Sequence, residues 1–358
     1  MITSKIINPK SLLITAPHHL GDLVAKVPFI RLFKTHFPNC RLVLAARAYV
    51  HPLARLIKEI DEILNFEDLF SKSPQEVVET LKELHLDAIV HILSVQNQMG
   101  PDVIGFAKEA KIPYRIGNIC RSKWSLWKKN NFGLTHNLRQ SRILPKVHEF
   151  EWNLAPLKFF NIAVEPAEVN LSSLLKTAPL SRSPVIELKP DCFHLIIHPG
   201  SLGNAKEWPT SHFISLVQKL GERFQVILTG SKEERDRFDF NPVLDQVCDL
   251  RGKLELNDLI QLISQVDGLV AASTGPLHIA SLFGIKTLGL FPKQENLGVE
   301  VWGARGDQGE NFSSASICSA CKNKLSDLNK KLCRCMEGID VELVVKKMKE
   351  WSLHESTV

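Results

Sequence analysis

The sequence predicts an α/β protein made of two doubly wound parallel sheets in succession. Three observations predict it. Apolar strand-like runs alternate with helical stretches in the first half, the same alternation restarts in the second, and a proline- and serine-rich stretch lies between. At 358 residues the chain exceeds one ordinary core and suits two domains of similar size.

In the first half, residues 11–16 (SLLITA) read as a buried strand. Leu23, Val27, Ile30 and Phe33 follow at helical spacing, so a helix is expected there, with Pro28 in its first turns or at a kink. Residues 41–46 are a second strand. Residues 74–84 are a helix with Ser73 as N-cap and Pro74 at its first position. Residues 88–93 are another strand. Residues 172–191 then carry three prolines and four serines and break the pattern. The expected division is an N-terminal domain over 1–172, a linker over 173–191 and a C-terminal domain over 192–358. In the second half, strands are expected at 193–197, 225–229, 268–272 and 287–290, with helices at 210–222, 257–265 and 277–283. Two Rossmann-like sheets facing each other across a cleft make the GT-B architecture. In open α/β sheets ligands bind beyond the carboxyl ends of the strands, so the loops after strands carry the interest.

The hydrophobic fraction of 44% and charged fraction of 23% are those of a globular protein. No apolar run is long enough to span a bilayer, and the short run at 12–14 is broken by Pro17, so neither a signal peptide nor a membrane helix is expected. The expected location is cytoplasmic. Cys40, Cys120, Cys192 and Cys248 are scattered and read as small buried hydrophobes. Cys318, Cys321, Cys333 and Cys335 make an imperfect match to a zinc knuckle pair, and reduced cysteines are the expectation. Charge is uneven. Residues 111–150 hold nine basic residues against one acid, Glu149, and so carry more positive charge than the +5 of the whole chain. Trp124 and Trp127 lie among them. Such a segment suits an anionic partner or anionic membrane surface, and equally a solvated basic loop.

Four loops carry chemistry. AASTGPLHIA (271–280) ends a strand and starts a helix. Thr274 is placed to cap that helix, Pro276 fits its first turn, and Gly275 lets a ligand approach the backbone. The free N–H groups and helix dipole suit a diphosphate, with His278 a further donor to phosphate; the plain alternative is a strand-to-helix turn with a surface histidine. HPGSLGNAKEWP (198–209) sets Lys206 as a point cation for a leaving diphosphate, against the usual fate of lysine at the surface. TGSKEERDRF (229–238) offers Glu234 or Glu233 to ribose hydroxyls, against acids that merely favour a helix start. APHHLGDLVAKVP (16–28) sets Asp22 at a helix start, as a general base or as an acid serving its own helix N-terminus. His18 and His19 are near it in sequence and have no assigned role.

Taken together, these loops resemble glycosyltransferase family 9, the heptosyltransferase family that builds the inner core of lipopolysaccharide. LGD followed by a helix and a proline, HPGSLGNAKEWP, DLRGKLELNDL and STGPLHIASLFG occur in the family's order along nearly the whole chain. HEFEWNLAPLKFF (148–160) and the tail CMEGIDVELV also look like this family. The resemblance implies an inverting, single-displacement transfer on a GT-B fold with ADP-heptose as the commonest donor, no metal and no cofactor. It places Asp22 at the catalytic base, Ser201 and Lys206 on the donor-phosphate loop, and Glu234 near the ribose. It places Gly275, Pro276, Leu277 and His278 on the diphosphate-binding turn, beside Thr274. Where the family usually has an acid that holds sugar hydroxyls, this chain has Ser273, a weaker acceptor, which bears on the donor sugar. The basic segment matches the family's acceptor side. Arg121, Lys123, Lys128 and Lys129 would meet a phosphorylated lipid A–Kdo glycolipid, with peripheral contact at the inner membrane and no nucleic acid. Two other readings stand beside this one: another GT-B nucleotide-sugar enzyme with a different donor, and a non-catalytic nucleotide- or glycan-binding relative. A dinucleotide dehydrogenase is disfavoured, because no G-x-G-x-x-G follows a strand.

Overall fold

The computed structural model describes residues 7–93, 101–118, 133–138, 147–164, 175, 185–201, 203, 205–294, 297–315 and 334–353. The chain divides into two units, Met1–Val169 and Asn170–Val358. Most of the expected linker at 173–191 lies outside the described residues.

The first unit opens with β1 (Ser11–Ala16), α1 (Leu20–Val24), α2 (Val27–His36) and β2 (Arg41–Ala46). It continues through α3 (His51–Ala54), β3 (Glu62–Asn65), α4 (Phe66–Phe70), α5 (Pro74–Glu83), β4 (Ala88–His91), α6 (Val103–Glu109), β5 (Tyr114–Asn118), β6 (His136–Leu138) and α7 (Glu149–Leu154). Its six strands lie in the order β3-β2-β1-β4-β5-β6, all parallel. β1 and β4 are buried along their whole length, which is why they read as unbroken apolar runs. β3, β5 and β6 are short and half-exposed, carry no such run, and escape the sequence.

The single helix expected around Leu23–Phe33 is two. α1 ends at Val24, and α2 restarts at Val27 with Pro28 in its first turn. Proline has no N–H to donate to the carbonyl four residues back, so the helix breaks before it. α5 begins as expected. Ser73 Oγ accepts from the Glu76 N–H at 3.4 Å and Glu76 returns a bond to the Ser73 N–H at 3.0 Å. Phe29 and Phe33 of α2 stack on each other, and Phe160 meets both edge-on, 5.1 Å from Phe33.

The second unit repeats the plan. It runs β7 (Phe193–His198), α8 (Thr210–Leu220), β8 (Phe224–Leu228), α9 (Lys232–Arg237), β9 (Val247–Asp249), α10 (Leu256–Ile263), β10 (Gly268–Ala272), α11 (Gly275–Phe283) and β11 (Lys286–Phe291). α12 (Val299–Trp302), β12 (Gly309–Ser313), α13 (Arg334–Glu337) and α14 (Val341–Leu353) complete it. The strand order is β12-β11-β10-β7-β8-β9, again all parallel. Its core takes Val344, Val345, Met348 and Trp351 from α14, and the Trp208 indole donates to the Ile339 carbonyl at 3.1 Å.

Cys40 and Cys335 are buried, but Cys192 and Cys248 are only half-buried, contrary to expectation. Cys192 immediately precedes β7, and Cys248 lies within β9, the short, half-buried edge strand of its sheet. Cys120, Cys318, Cys321 and Cys333 lie outside the described residues. Among the described residues no helix is long and apolar enough to cross a membrane, and no cluster of His, Cys, Asp or Glu could hold a metal ion.

Candidate active site

Each sheet reverses its strand order once, between β1 and β4 in the first unit and between β7 and β10 in the second. That reversal opens a crevice at the carboxyl ends of the strands. The loops singled out in the sequence leave from these strands.

In the first unit, Asp22 is the third residue of α1, in the loop that follows β1. Its Oδ2 accepts the His19 N–H at 2.9 Å, so the carboxylate does serve its own helix start. The bond fixes the carboxylate. Asp22 is nevertheless buried, among groups the sequence did not flag. Lys26, at the junction of α1 and α2, is 4% exposed and donates to Asn153 Oδ1 of α7 at 3.0 Å. Asn153 Nδ2 donates to the Glu149 carbonyl at 2.8 Å. Burial pushes the Glu149 carboxyl up to about 7, the Asp22 charge pushes the same way, and Lys26 opposes. Burial pulls the Lys26 ammonium down, while Asp22 and Glu149 support it. His91 closes β4 with its Nδ1 2.6 Å from Thr15 Oγ1, and burial, then Lys26 and His18, lower it to about 3. Lysine is usually a surface residue, which hid Lys26. Glu149 stood in the HEFEWNL stretch without a role.

In the second unit, the loop after β7 is built around Glu207. Its Oε1 accepts the Ser201 N–H at 2.9 Å and the Ser201 hydroxyl at 2.8 Å. Arg237 of α9 grips the same carboxylate with two nitrogens, one at 2.7 Å. The Ser201 hydroxyl also lies 3.0 Å from the Ala205 carbonyl, so its single proton is committed within the loop. Lys206 is 4% exposed and is not a surface lysine.

Glu234 is buried and Glu233 exposed. Glu234 Oε2 accepts the Ser231 N–H at 2.9 Å, closing the α9 capping box. A Cβ on Gly200 would fall 2.1 Å from the Glu234 carboxylate, so only glycine lets the β7 loop approach this acid. Glu234 and Glu207 both act on His198, which burial pulls down.

α11 starts at Gly275 with Pro276 in its first turn and Thr274 at the N-cap. The expected side-chain cap is not made. Thr274 Oγ1 is buried and has no hydrogen-bond partner among the described residues. The extended N-cap backbone, φ −133° and ψ 162°, starts the helix without that bond. Ser273 and Gly275 are half-buried. Leu277 is a core residue under Gly289, so only its backbone is available to a ligand. His278 is not at the surface. It is buried beside Trp302, ring centroids 5.9 Å apart, and burial lowers it to about 4, so its imidazole is neutral at pH 7. Arg121, Lys123, Lys128 and Lys129 lie outside the described residues.

These groups give a stability signature. His91, His198 and His278 are depressed in the fold, whereas an unfolded histidine protonates near pH ~6.5. The unfolded chain therefore binds more protons as pH falls below that value, and the histidines cost stability there. Glu149 works the other way: its raised folded value costs stability as pH rises from the ordinary carboxylate range toward 7. Three groups outweigh one. The melting temperature is expected to fall from pH 7 to pH 5, and more steeply in Glu149→Gln. A flat profile would mean that these imidazoles reach water in the fold.

Two doubly wound parallel units in succession, each with one strand reversal, are the plan of the GT-B enzymes. The glycosyltransferase family 9 (heptosyltransferase) profile matches residues 143–332, more than half of the chain. The chain belongs to this family and is a glycosyltransferase. A lipooligosaccharide heptosyltransferase 2 of Campylobacter jejuni is 22% identical over 349 residues, covering 94% of this chain and 97% of its own. The solved structure of the Escherichia coli ADP-heptose lipopolysaccharide heptosyltransferase II superposes with a TM-score of 0.73 at 16% identity, over 97% of this chain and all of that one. A family 9 glycosyltransferase from Veillonella parvula superposes with a TM-score of 0.74 at 15% identity, over 98% of this chain and all of that one.

Proposed function

We propose that this glycosyltransferase is an inverting heptosyltransferase of lipopolysaccharide assembly, moving heptose from ADP-heptose to a lipid A–Kdo type acceptor. The first unit holds the acceptor and the second the donor. Asp22 takes the proton from an acceptor hydroxyl. That oxygen bonds to the anomeric carbon as the bond to the diphosphate breaks on the opposite face. Lys206 and the N–H groups opening α11 take up the charge of the departing ADP, without a metal. Glu234 faces the ribose, and Gly275, Pro276, Leu277 and His278 line the diphosphate turn.

The observation that carries this reading is Thr274 Oγ1, a buried hydroxyl left unpartnered at the start of a nine-residue helix. A buried polar atom without a partner costs free energy, and a diphosphate oxygen would satisfy it together with the helix N–H groups. The names of the relatives support the donor. Ser273 is the first suspect should the sugar differ. The basic 111–146 segment is proposed to meet the anionic acceptor at the cytoplasmic face of the inner membrane, by charge alone.

A thermal-shift panel of ADP, UDP, GDP and CDP, with and without EDTA, tests the donor half. At a ligand concentration ~100-fold above Kd, binding adds about 2.7 kcal/mol of stability. Stabilisation by ADP alone, indifferent to EDTA, is expected. Preference for UDP or GDP would move the donor elsewhere, and an EDTA-sensitive shift would bring a metal into the site.

A further inference from the structure

We propose that Tyr49 is a positioning residue for the base: its hydroxyl grips the peptide unit that holds the Asp22 carboxylate. The proposal rests on the reading of Asp22 as the base.

One peptide unit is bonded at both of its ends. The Tyr49 hydroxyl donates to the His18 carbonyl at 3.1 Å, and the His19 N–H of the same peptide donates to Asp22 Oδ2 at 2.9 Å. Sheet register brings these groups together. β1 and β2 lie side by side with Ala16 opposite Ala46, so the loops that follow them leave from neighbouring points. Tyr49 stands in the single 3-10 turn after β2, Ala48–Val50, 31 positions from His18. Its ring is itself held. The Arg47 guanidinium carbon lies 5.7 Å from the ring centroid, and Arg47 is paired with Glu67 of α4. Tyr49 is 47% exposed as a residue, yet burial of its hydroxyl pushes it up to about 12, with Arg47 opposing. At neutral pH the phenol therefore keeps the proton that it donates. A hydrogen bond accepted at a peptide carbonyl polarises the amide and strengthens the bond its N–H gives. Here that N–H ends on a carboxylate, where charge-assisted bonds are the strong ones. Asp22 stands third in a helix of five residues, too short to hold its own start. Tyr49 supplies, from the neighbouring strand's loop, the constraint that α1 lacks.

One substitution separates this role from ordinary bracing of a loop. Tyr49→Phe removes the hydroxyl and keeps the ring. Amide NMR of the full chain reads the tie without any substrate. The His19 N–H signal should move upfield in Tyr49→Phe, and also in Asp22→Asn, where the acceptor loses its charge. Initial rates with ADP-heptose and a lipid A–Kdo acceptor add the kinetic half. In Tyr49→Phe, kcat should fall about 3- to 10-fold, the worth of one neutral hydrogen bond, with KM for the donor unchanged. In the Asp22→Asn background, Tyr49→Phe should cost nothing further, because it acts through the carboxylate. A His19 signal indifferent to Tyr49→Phe, a wild-type kcat in that variant, or a loss that adds to that of Asp22→Asn overturns the proposal. Full turnover by Asp22→Asn, with the His19 signal still moved by Tyr49→Phe, instead overturns the assignment of the base, and the role of Tyr49 with it.

Discussion

Asp22→Asn is expected to lower turnover by roughly 10²–10⁴-fold, the range a positioned general base contributes, and to leave nucleotide affinity at the wild-type value. The two halves of that result come from different parts of the chain. The amide keeps the shape and can still accept the His19 N–H that Asp22 Oδ2 accepts at 2.9 Å, so α1 stays capped. It cannot take a proton at neutral pH. The loops proposed to hold the donor follow β7, β8 and β10 in the other unit and do not depend on this side chain. Steady-state rates and ADP titration calorimetry on the same preparation check both halves. Equal loss of turnover and of ADP binding would show damage spreading beyond the first unit, and turnover within a few-fold of wild type would remove Asp22 from the chemistry.

Glu207→Ala is expected to have the largest effect on stability. One carboxylate, with its side chain 2% exposed, holds the Ser201 N–H, the Ser201 hydroxyl and two nitrogens of Arg237. Truncation leaves a buried N–H without its acceptor and a guanidinium without its anion. Breaking a buried pair from one side costs ~3–5 kcal/mol, and the lower end applies because Arg237 keeps some access to water. For a domain the size of the second unit, ~3 kcal/mol lowers the melting temperature by about 6–12 °C. ADP affinity should weaken as well, since Ser201 and Lys206 share the loop. Scanning calorimetry checks the first effect and titration calorimetry the second. A loss below ~1 kcal/mol would place this pair among ordinary surface ion pairs.

The loop architecture of the second unit was largely legible because its parts are contiguous. HPGSLGNAKEWP and STGPLHIA each gather glycine, a polar cap and a charge within one strand-to-helix loop. Buried strands in both units are continuous apolar runs, so β1, β2 and β10 fall where the sequence put them. The first unit's cluster was hidden for a different reason. Lys26 and Asn153 are 127 positions apart, and only the packing of α7 against the α1/α2 junction brings them together. Nothing local distinguishes Lys26 from a solvated lysine. Glu207 was hidden too, standing next to a lysine whose cation drew the attention. Thr274 erred in the other direction. Its N-cap position was legible, but whether its hydroxyl turns onto the helix depends on a rotamer that residue type does not fix.

The strand reversal in each sheet also governs how the chain reaches its native state. Leu12 pairs with Ala88, and Ile197 with Val270, so each central pair closes a loop of more than seventy residues. Ordering such a loop precedes any reward from the contacts it makes, and parallel sheets of this kind fold slowly. The crevice at β7 and β10 exists only once its long crossover has closed. A nucleotide held there would clasp that seam closed. Bound ligand should therefore prolong the lifetime of the folded enzyme, in addition to raising its equilibrium stability.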